Sequence, residues 1–148
     1  ITINKPLRLT PVNIFEGIKA YKCSGTPVDC VKLAVDKVLH RHPDLCVSGI
    51  NHGSNSSINI IYSGTMSAAV EASLEGIPSI GFSLCDYGYE ADFAPSIHYA
   101  KFIAEQMLKH GMPKHTLLNV NIPKLSLKEI KGMMICRQAV AKWEEEYL

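Results

Sequence analysis

The sequence predicts an α/β protein with a three-layer, Rossmann-like, mostly parallel sheet and a β-hairpin extension. Short apolar strands alternate along the chain with amphipathic helices, which is the order typical of parallel pairs with helices on the sheet faces. Each helical segment also carries capping signals at its ends. The 148 residues, 47% of them hydrophobic, are enough for one core and too few for two ordinary domains. We therefore expect a single α/β domain over residues 1–148.

Two extended segments open the chain. Residues that favour strands alternate or cluster at positions 1–4 and 7–12, on either side of Lys5 and Pro6. Proline cannot donate a hydrogen bond to a neighbouring strand, so Pro11 places the second segment at an edge. Both segments are predicted to belong to a sheet.

The first helix is predicted from Thr26 to about residue 40. Thr26 is a typical N-cap, Pro27 suits the first helical position, and Asp29 stands at the third. Apolar residues then recur at helical spacing, and Pro43 limits the helix at its carboxyl end.

The remaining elements alternate in the same way. A buried strand at 45–50 enters a polar loop that runs through Asn59, and a second helix begins at residues 63–65 and ends at Gly76. We expect a strand at 78–84, a helix at 95–110 capped by Gly111, and a strand at 116–122. A weaker strand is predicted at 132–137.

Composition limits the classes of function. The formal charge is +1 and the cations are spread along the chain, so nucleic acid is not an expected partner. Apolar runs such as 58–62 are far shorter than the roughly 20 residues of a membrane span, so no membrane association is expected. The five cysteines form no C-x-x-C pair, which is typical of reduced thiols in a cytoplasmic protein. Because the chain starts at Ile1, we expect its amino end to be cut or otherwise incomplete.

The loop between residues 48 and 65 is the candidate site. It is rich in serine, asparagine and glycine and contains no carboxylate. It follows a predicted strand end, where ligands bind in parallel sheets, and it leads into a helix amino end at Ser63, Gly64 and Thr65. Free N–H groups and hydroxyls at a helix amino end suit a phosphate.

Simpler interpretations of the same residues remain open. Ser63 and Thr65 are more often plain helix caps. Asn51 and Asn55 could serve only to form turns, and His52 is more often a polar loop residue than a catalyst. Spacing alone therefore supports an anion-binding loop and no more.

Three motifs resemble the SurE family of nucleotidases. The segment SGINHGSN at 48–55, followed by YSGTM at 62–66, is similar to that family's central signature. GTPVDC at 25–30 and GIPSI at 76–80 resemble two further family segments, in the same order and spacing. The resemblance covers residues 1 to about 122 and implies a SurE-like fold, of which this chain would be an incomplete piece.

The resemblance also implies roles for particular residues. Asn51 would be a ligand of a divalent cation, Mg²⁺ or Mn²⁺, and Ser63, Gly64 and Thr65 would bind the phosphate. Asn55, Ser63 and Thr65 would stabilise the charge on the transferring group during catalysis. The family's other metal ligands are two adjacent aspartates and a serine from an earlier segment, and no Asp-Asp pair occurs here. We therefore expect this chain alone to lack the amino-terminal metal-binding segment and a carboxyl-terminal segment, and to be inactive.

The expected function is that of a metal-dependent 5'-nucleotidase, with a nucleoside monophosphate as substrate and a homodimer or homotetramer as the assembly. A non-catalytic domain that binds a nucleotide or another anion is the alternative, and an Asp-Asp pair upstream of Ile1 would favour the enzyme.

Two residues depart from the family signature. Ser57 stands where glycine is usual, and Asn59 stands where aspartate is usual.

Overall fold

The computed structural model describes residues 1–141, 144 and 146. Within them the chain forms five strands and three α-helices. In chain order these are β1 (Leu9–Val12), β2 (Ala20–Cys23), α1 (Pro27–Leu33), β3 (Cys46–His52), α2 (Gly64–Leu74), β4 (Ser79–Cys85), α3 (Ala94–His110) and β5 (Leu117–Pro123). A π-helical turn at Ala34–Val38 follows α1, and a 3-10 helix at Ser57–Tyr62 precedes α2.

The central sheet is parallel, with strand order β3-β4-β5. β4 and β5 pair in register from Ser79 opposite Leu117 to Cys85 opposite Pro123. β3 pairs with β4 in the same direction, with a register shift between Ser48 and Asn51. The prediction of an α/β fold with parallel pairs is confirmed.

Residues on β4 alternate between two helical layers. Ile80 and Phe82 form a buried cluster with Ile122, against which Tyr99 and Ile103 of α3 pack. The intervening positions Ser79, Gly81 and Ser83 are small and buried, and the Ser79 hydroxyl donates to the carbonyl of Ala69 in α2 at 2.7 Å. Small residues let α2 approach the sheet closely, so the two faces carry different helices and make three layers.

A separate antiparallel hairpin joins β1 and β2, with Thr10 opposite Lys22. A hairpin is therefore present as predicted, but its second strand is β2, and the prediction of an extended sheet segment at 1–4 is wrong because these residues lie in neither sheet. Thr2 is instead held by Asp29 of α1, whose carboxylate accepts the Thr2 hydroxyl at 2.7 Å and the Thr26 N–H at 2.8 Å. These hydrogen bonds, the one from the Thr2 hydroxyl above all, hold the pKa of Asp29 well below its usual range.

The ends of the other helices and strands agree with the sequence-based predictions, with two exceptions. Gly111 ends α3 with a φ of 74°, and Thr26 caps α1 as predicted. The first helix does not continue as an α-helix to residue 40, because the π-helical turn replaces its carboxyl end. The strand predicted at 132–137 is wrong, since residues 131–141 form no regular element. No helix among the described residues has the length and apolar character needed to cross a bilayer.

Candidate functional site

The carboxyl ends of β3, β4 and β5 meet at one edge of the sheet, and the polar loop between β3 and α2 folds over this edge. Asn55 lies at the centre of the loop and is only 5% exposed. Its hydrogen bonds reach β4, β5 and the first turn of α2. Asn55 therefore fixes the loop to the sheet, and the N–H of Gly53 adds a bond to the carbonyl of Leu84 at 2.9 Å.

Two asparagines of β5 hold the backbone of Asn55. The Asn55 N–H donates to Oδ1 of Asn121 at 2.8 Å, and its carbonyl accepts Nδ2 of Asn121 at 2.9 Å. Nδ2 of Asn119 donates to the same carbonyl at 2.7 Å. Asn119 and Asn121 are two positions apart on one strand, so their side chains lie on the same face. They satisfy backbone groups that a buried loop would otherwise leave unpaired.

The side chain of Asn55 connects the sheet to α2. Its Nδ2 donates to the buried hydroxyl of Ser83 in β4, and its Oδ1 accepts the hydroxyl of Ser63 at 2.6 Å. The Ser63 oxygen in turn accepts the N–H of Met66 at 3.1 Å, so Ser63 is the N-cap of α2. The capping role that the sequence left open for Ser63 is thus present in the structure.

The first turn of α2 offers further donors. In the described part of the chain, the N–H groups of Gly64 and Thr65 and the Thr65 hydroxyl have no hydrogen-bond partner. The first N–H groups of a helix carry partial positive charge and point out of its end. This arrangement can bind an anion, and it requires no movement of the Asn55 and Ser63 pair.

Two glycines set the position of this helix end. A Cβ at Gly64 would lie 3.1 Å from the ring of Pro27, so α1 and α2 begin side by side. A Cβ at Gly81 would lie 2.5 Å from Sδ of Met66 and 3.6 Å from the methyl group of Thr65. The absence of side chains at both positions allows α2 to reach its observed place against the sheet.

Asn51 lies on β3 opposite Ser83, the residue that also contacts Asn55. Its Nδ2 donates to the carbonyl of Gly53 at 2.8 Å, and its Oδ1 has no partner among the residues described. An amide oxygen is a ligand that Mg²⁺ and Mn²⁺ accept. Asn51 therefore lies on the strand next to Ser83, whose hydroxyl accepts the bond from Asn55.

The donor set fits a divalent cation only in part. Asn51, Asn55, Ser63 and Thr65 are all neutral, whereas a dehydrated divalent cation needs anionic oxygens. The described residues contain no group of three or more His, Cys, Asp or Glu side chains placed to hold a metal ion. These neutral groups alone therefore do not make a complete site for such a cation.

A charged pair lies at the ends of the neighbouring strands. Asp86 follows β4 with a side chain that is 7% exposed, and Lys124 follows β5 and donates to Oδ1 of Asp86 at 3.0 Å. The N–H of Gly88 and then Lys124 lower the pKa of the Asp86 carboxyl, and His52 contributes in the same direction. Of these residues only His52 was singled out from the sequence, as a polar residue of the loop.

Ser57, which departs from the family signature, has a backbone conformation that favours glycine. Its φ is 60°, in the left-handed region that glycine adopts most easily. Its hydroxyl contacts both backbone groups of Ala141, accepting the N–H at 2.7 Å, and its carbonyl accepts Nε2 of Gln138. The hydroxyl of Ser57 therefore connects the later segment around Ala141 to the loop. Asn59 is half-buried in the 3-10 helix.

The fold and this edge define the class: a three-layer α/β protein with a parallel sheet, whose candidate ligand site lies at the carboxyl ends of the strands. Residues 1–145 match the sequence family described as Survival protein SurE. The chain belongs to the SurE family.

Similar proteins include two that are called 5'-nucleotidase SurE. The one from Christiangramia forsetii is 62% identical and the one from Flavobacterium psychrophilum is 59% identical. Each alignment covers 99% of this chain and 57% or 58% of the relative, so the chain spans a little over half of their length. The crystal structure of the SurE protein from Aquifex aeolicus superimposes with a TM-score of 0.84 at 39% identity, covering 95% of this chain and 55% of that one.

Proposed function

We propose that the chain carries the phosphate-binding part of the active site of a metal-dependent 5'-nucleotidase, a phosphohydrolase of nucleoside monophosphates. The observation that carries this proposal is the first turn of α2, whose donors at Gly64 and Thr65 are held at the sheet edge by the bond between Asn55 and Ser63. The names of the relatives support the type of reaction.

Each residue has a distinct part in this proposal. The N–H groups of Gly64 and Thr65 and the Thr65 hydroxyl hold the phosphate oxygens and stabilise the charge that builds up on them in the transition state. Asn55 carries a second Nδ2 proton that can reach the phosphate while the first stays on Ser83. Ser63 caps the helix and shares its hydroxyl proton between Asn55 and the bound phosphate.

Asn51 is proposed as one ligand of Mg²⁺ or Mn²⁺, through the Oδ1 that Gly53 leaves free. Such a cation, when bound, polarises a phosphoryl oxygen. Because Asn51 is neutral, we propose that the anionic ligands come from outside these 148 residues and that this chain alone does not hydrolyse its ligand. A homodimer or homotetramer is proposed as the assembly, by analogy with the family.

The alternative is a domain that binds a nucleotide or another anion without catalysis. It is favoured by the neutral donor set, which suffices for a phosphate but not for a divalent cation. Both proposals use the same helix end, so binding alone does not separate them. Hydrolysis does.

A chimeric protein tests the proposal. Residues 1–148 replace the matching part of the Christiangramia forsetii relative, and phosphate release from AMP is measured with Mg²⁺ or Mn²⁺. The chimera is expected to release phosphate, its Thr65→Val form to release it much more slowly, and the 148-residue chain to release none. A folded chimera that binds AMP but releases no phosphate would establish the non-catalytic alternative instead.

A further inference from the structure

One face of the β1–β2 hairpin is basic. Arg8 lies opposite Ser24, since its N–H donates to the Ser24 hydroxyl at 2.9 Å and its carbonyl accepts the Ser24 N–H at 3.1 Å. Thr10 lies opposite Lys22 in the strand register. Side chains alternate along a strand, so these four residues share one face, and all four are exposed.

The same four residues, together with Lys5 and Pro6, line a cavity of about 430 Å³. Three of these six lining residues are cations and none is an acid. Within the described chain, Lys5, Arg8 and Lys22 form no ion pair, whereas Lys32, Arg41, Lys101 and Lys124 each contact a carboxylate. Since the formal charge of the whole chain is only +1, this concentration of positive charge does not follow from composition.

Like charges gathered on a two-stranded sheet repel one another, and an anion in the cavity would remove that repulsion. Arg8 offers a planar fork of donors, Lys5 and Lys22 offer ammonium groups, and the hydroxyls of Thr10 and Ser24 add neutral donors. Three cations match a ligand with two or more negative charges better than a single carboxylate. We propose that this hairpin face is a second anion-binding site, for a small phosphate-bearing ligand, separate from the site at the amino end of α2.

Inorganic pyrophosphate is the probe, titrated into the ¹⁵N-labelled 148-residue chain at constant ionic strength. The amide signals of Arg8, Thr10, Lys22 and Ser24 are expected to shift and to saturate together. The double variant Arg8→Gln/Lys22→Gln is expected to bind about tenfold or more weakly at this site, because two charge-assisted contacts are lost. Gly64 and Thr65 report the other site in the same spectra, so failure at one site is distinguished from failure at the other.

The matched control is Arg41→Gln/Lys101→Gln, which removes the same two charges from exposed positions elsewhere. It is expected to leave the pyrophosphate affinity of the hairpin unchanged. Unchanged amide signals of Leu9 and Cys23, which pair across the two strands, verify that the hairpin is intact in the test variant. Arg8→Lys alone is expected to weaken binding less than the double variant. Equal affinity in the test and control variants, shifts that never saturate, or equally strong binding of a short polyglutamate would overturn the proposal.

Discussion

The side-chain oxygen of Asn55 accepts the hydroxyl of Ser63 at 2.6 Å, and this single bond joins the polar loop to the first turn of α2. The rest of Asn55 is held by Ser83, Asn119 and Asn121 from the two adjacent strands. The buried amide of Asn55 therefore connects the helix end that is proposed to bind phosphate to the sheet, in addition to the close packing at Gly81. Because these contacts hold the amino end of α2 rigidly, its N–H donors are already in position before a ligand binds.

Asn55→Ala removes both side-chain bonds and leaves the Ser63 and Ser83 hydroxyls without that partner. We expect the free energy of unfolding to fall by about 2–4 kcal/mol, since each buried bond contributes roughly 1–2 kcal/mol. Urea unfolding measures the loss. Asn13→Ala, at an exposed position, is the control and is expected to change stability by about 0.5 kcal/mol or less. Equal losses in the two variants would show that Asn55 does not connect the loop to the helix.

Gly81→Ala is expected to push α2 away from the sheet, because the new Cβ would meet Sδ of Met66 at 2.5 Å. The expected destabilisation is about 1–3 kcal/mol. In a Met66→Ala background the same change should cost much less, since the colliding atom is gone. A double-mutant cycle of unfolding free energies checks this, and strict additivity of the two costs would contradict it.

The Asp29 carboxylate should make stability depend on pH. Its pKa is lowered in the folded chain by the bonds from Thr2 and Thr26, so its contribution is fully present above the pKa of the unfolded chain. It is lost progressively as the pH falls below about 4. Asp29→Asn should lower the urea midpoint at neutral pH, and its difference from the unchanged chain should shrink as the pH falls through that range. A difference that stayed constant from pH 6 to pH 2 would exclude this role.

Asn51 can be tested with a paramagnetic ion. Mn²⁺ is expected to bind the 148-residue chain weakly, and to broaden the side-chain amide signals of Asn51 and the backbone signal of Gly53 first. Asn51→Ala should abolish the preferential broadening at Gly53. If Gly53 broadens equally in both proteins, Asn51 is not a ligand.

Local signals predicted much of this fold, and long-range contacts account for most of the rest. The Thr26 cap and the Gly111 terminus act within one helical turn, so their helices could be predicted from neighbouring residues. β2 was not predicted, because its four residues alternate too briefly to show a period. The apolar run at 133–135 suggested a strand, yet these side chains are exposed and pair with no strand.

In the candidate site, too, local signals predicted some residues, and long-range contacts determine the others. The loop composition and the helix amino end pointed to Ser63, Gly64 and Thr65 directly. Asn121 is 66 positions from the Asn55 backbone that it holds, so no local pattern could connect the two. One signal was available: Asn119 and Asn121 stand at alternate positions on an otherwise apolar strand, near the end where ligands bind in a parallel sheet.

The most direct test of the proposed phosphate site compares AMP with adenosine as ligands of the ¹⁵N-labelled chain. If the amino end of α2 binds the phosphate, AMP should shift the amide signals of Gly64 and Thr65 to saturation, and adenosine should leave them unmoved. Thr65→Val should weaken the AMP response by about tenfold, as expected for the loss of one hydrogen bond to a charged group. AMP binding that leaves Gly64 and Thr65 unmoved, or adenosine shifts of equal size at both residues, would contradict the proposed phosphate site.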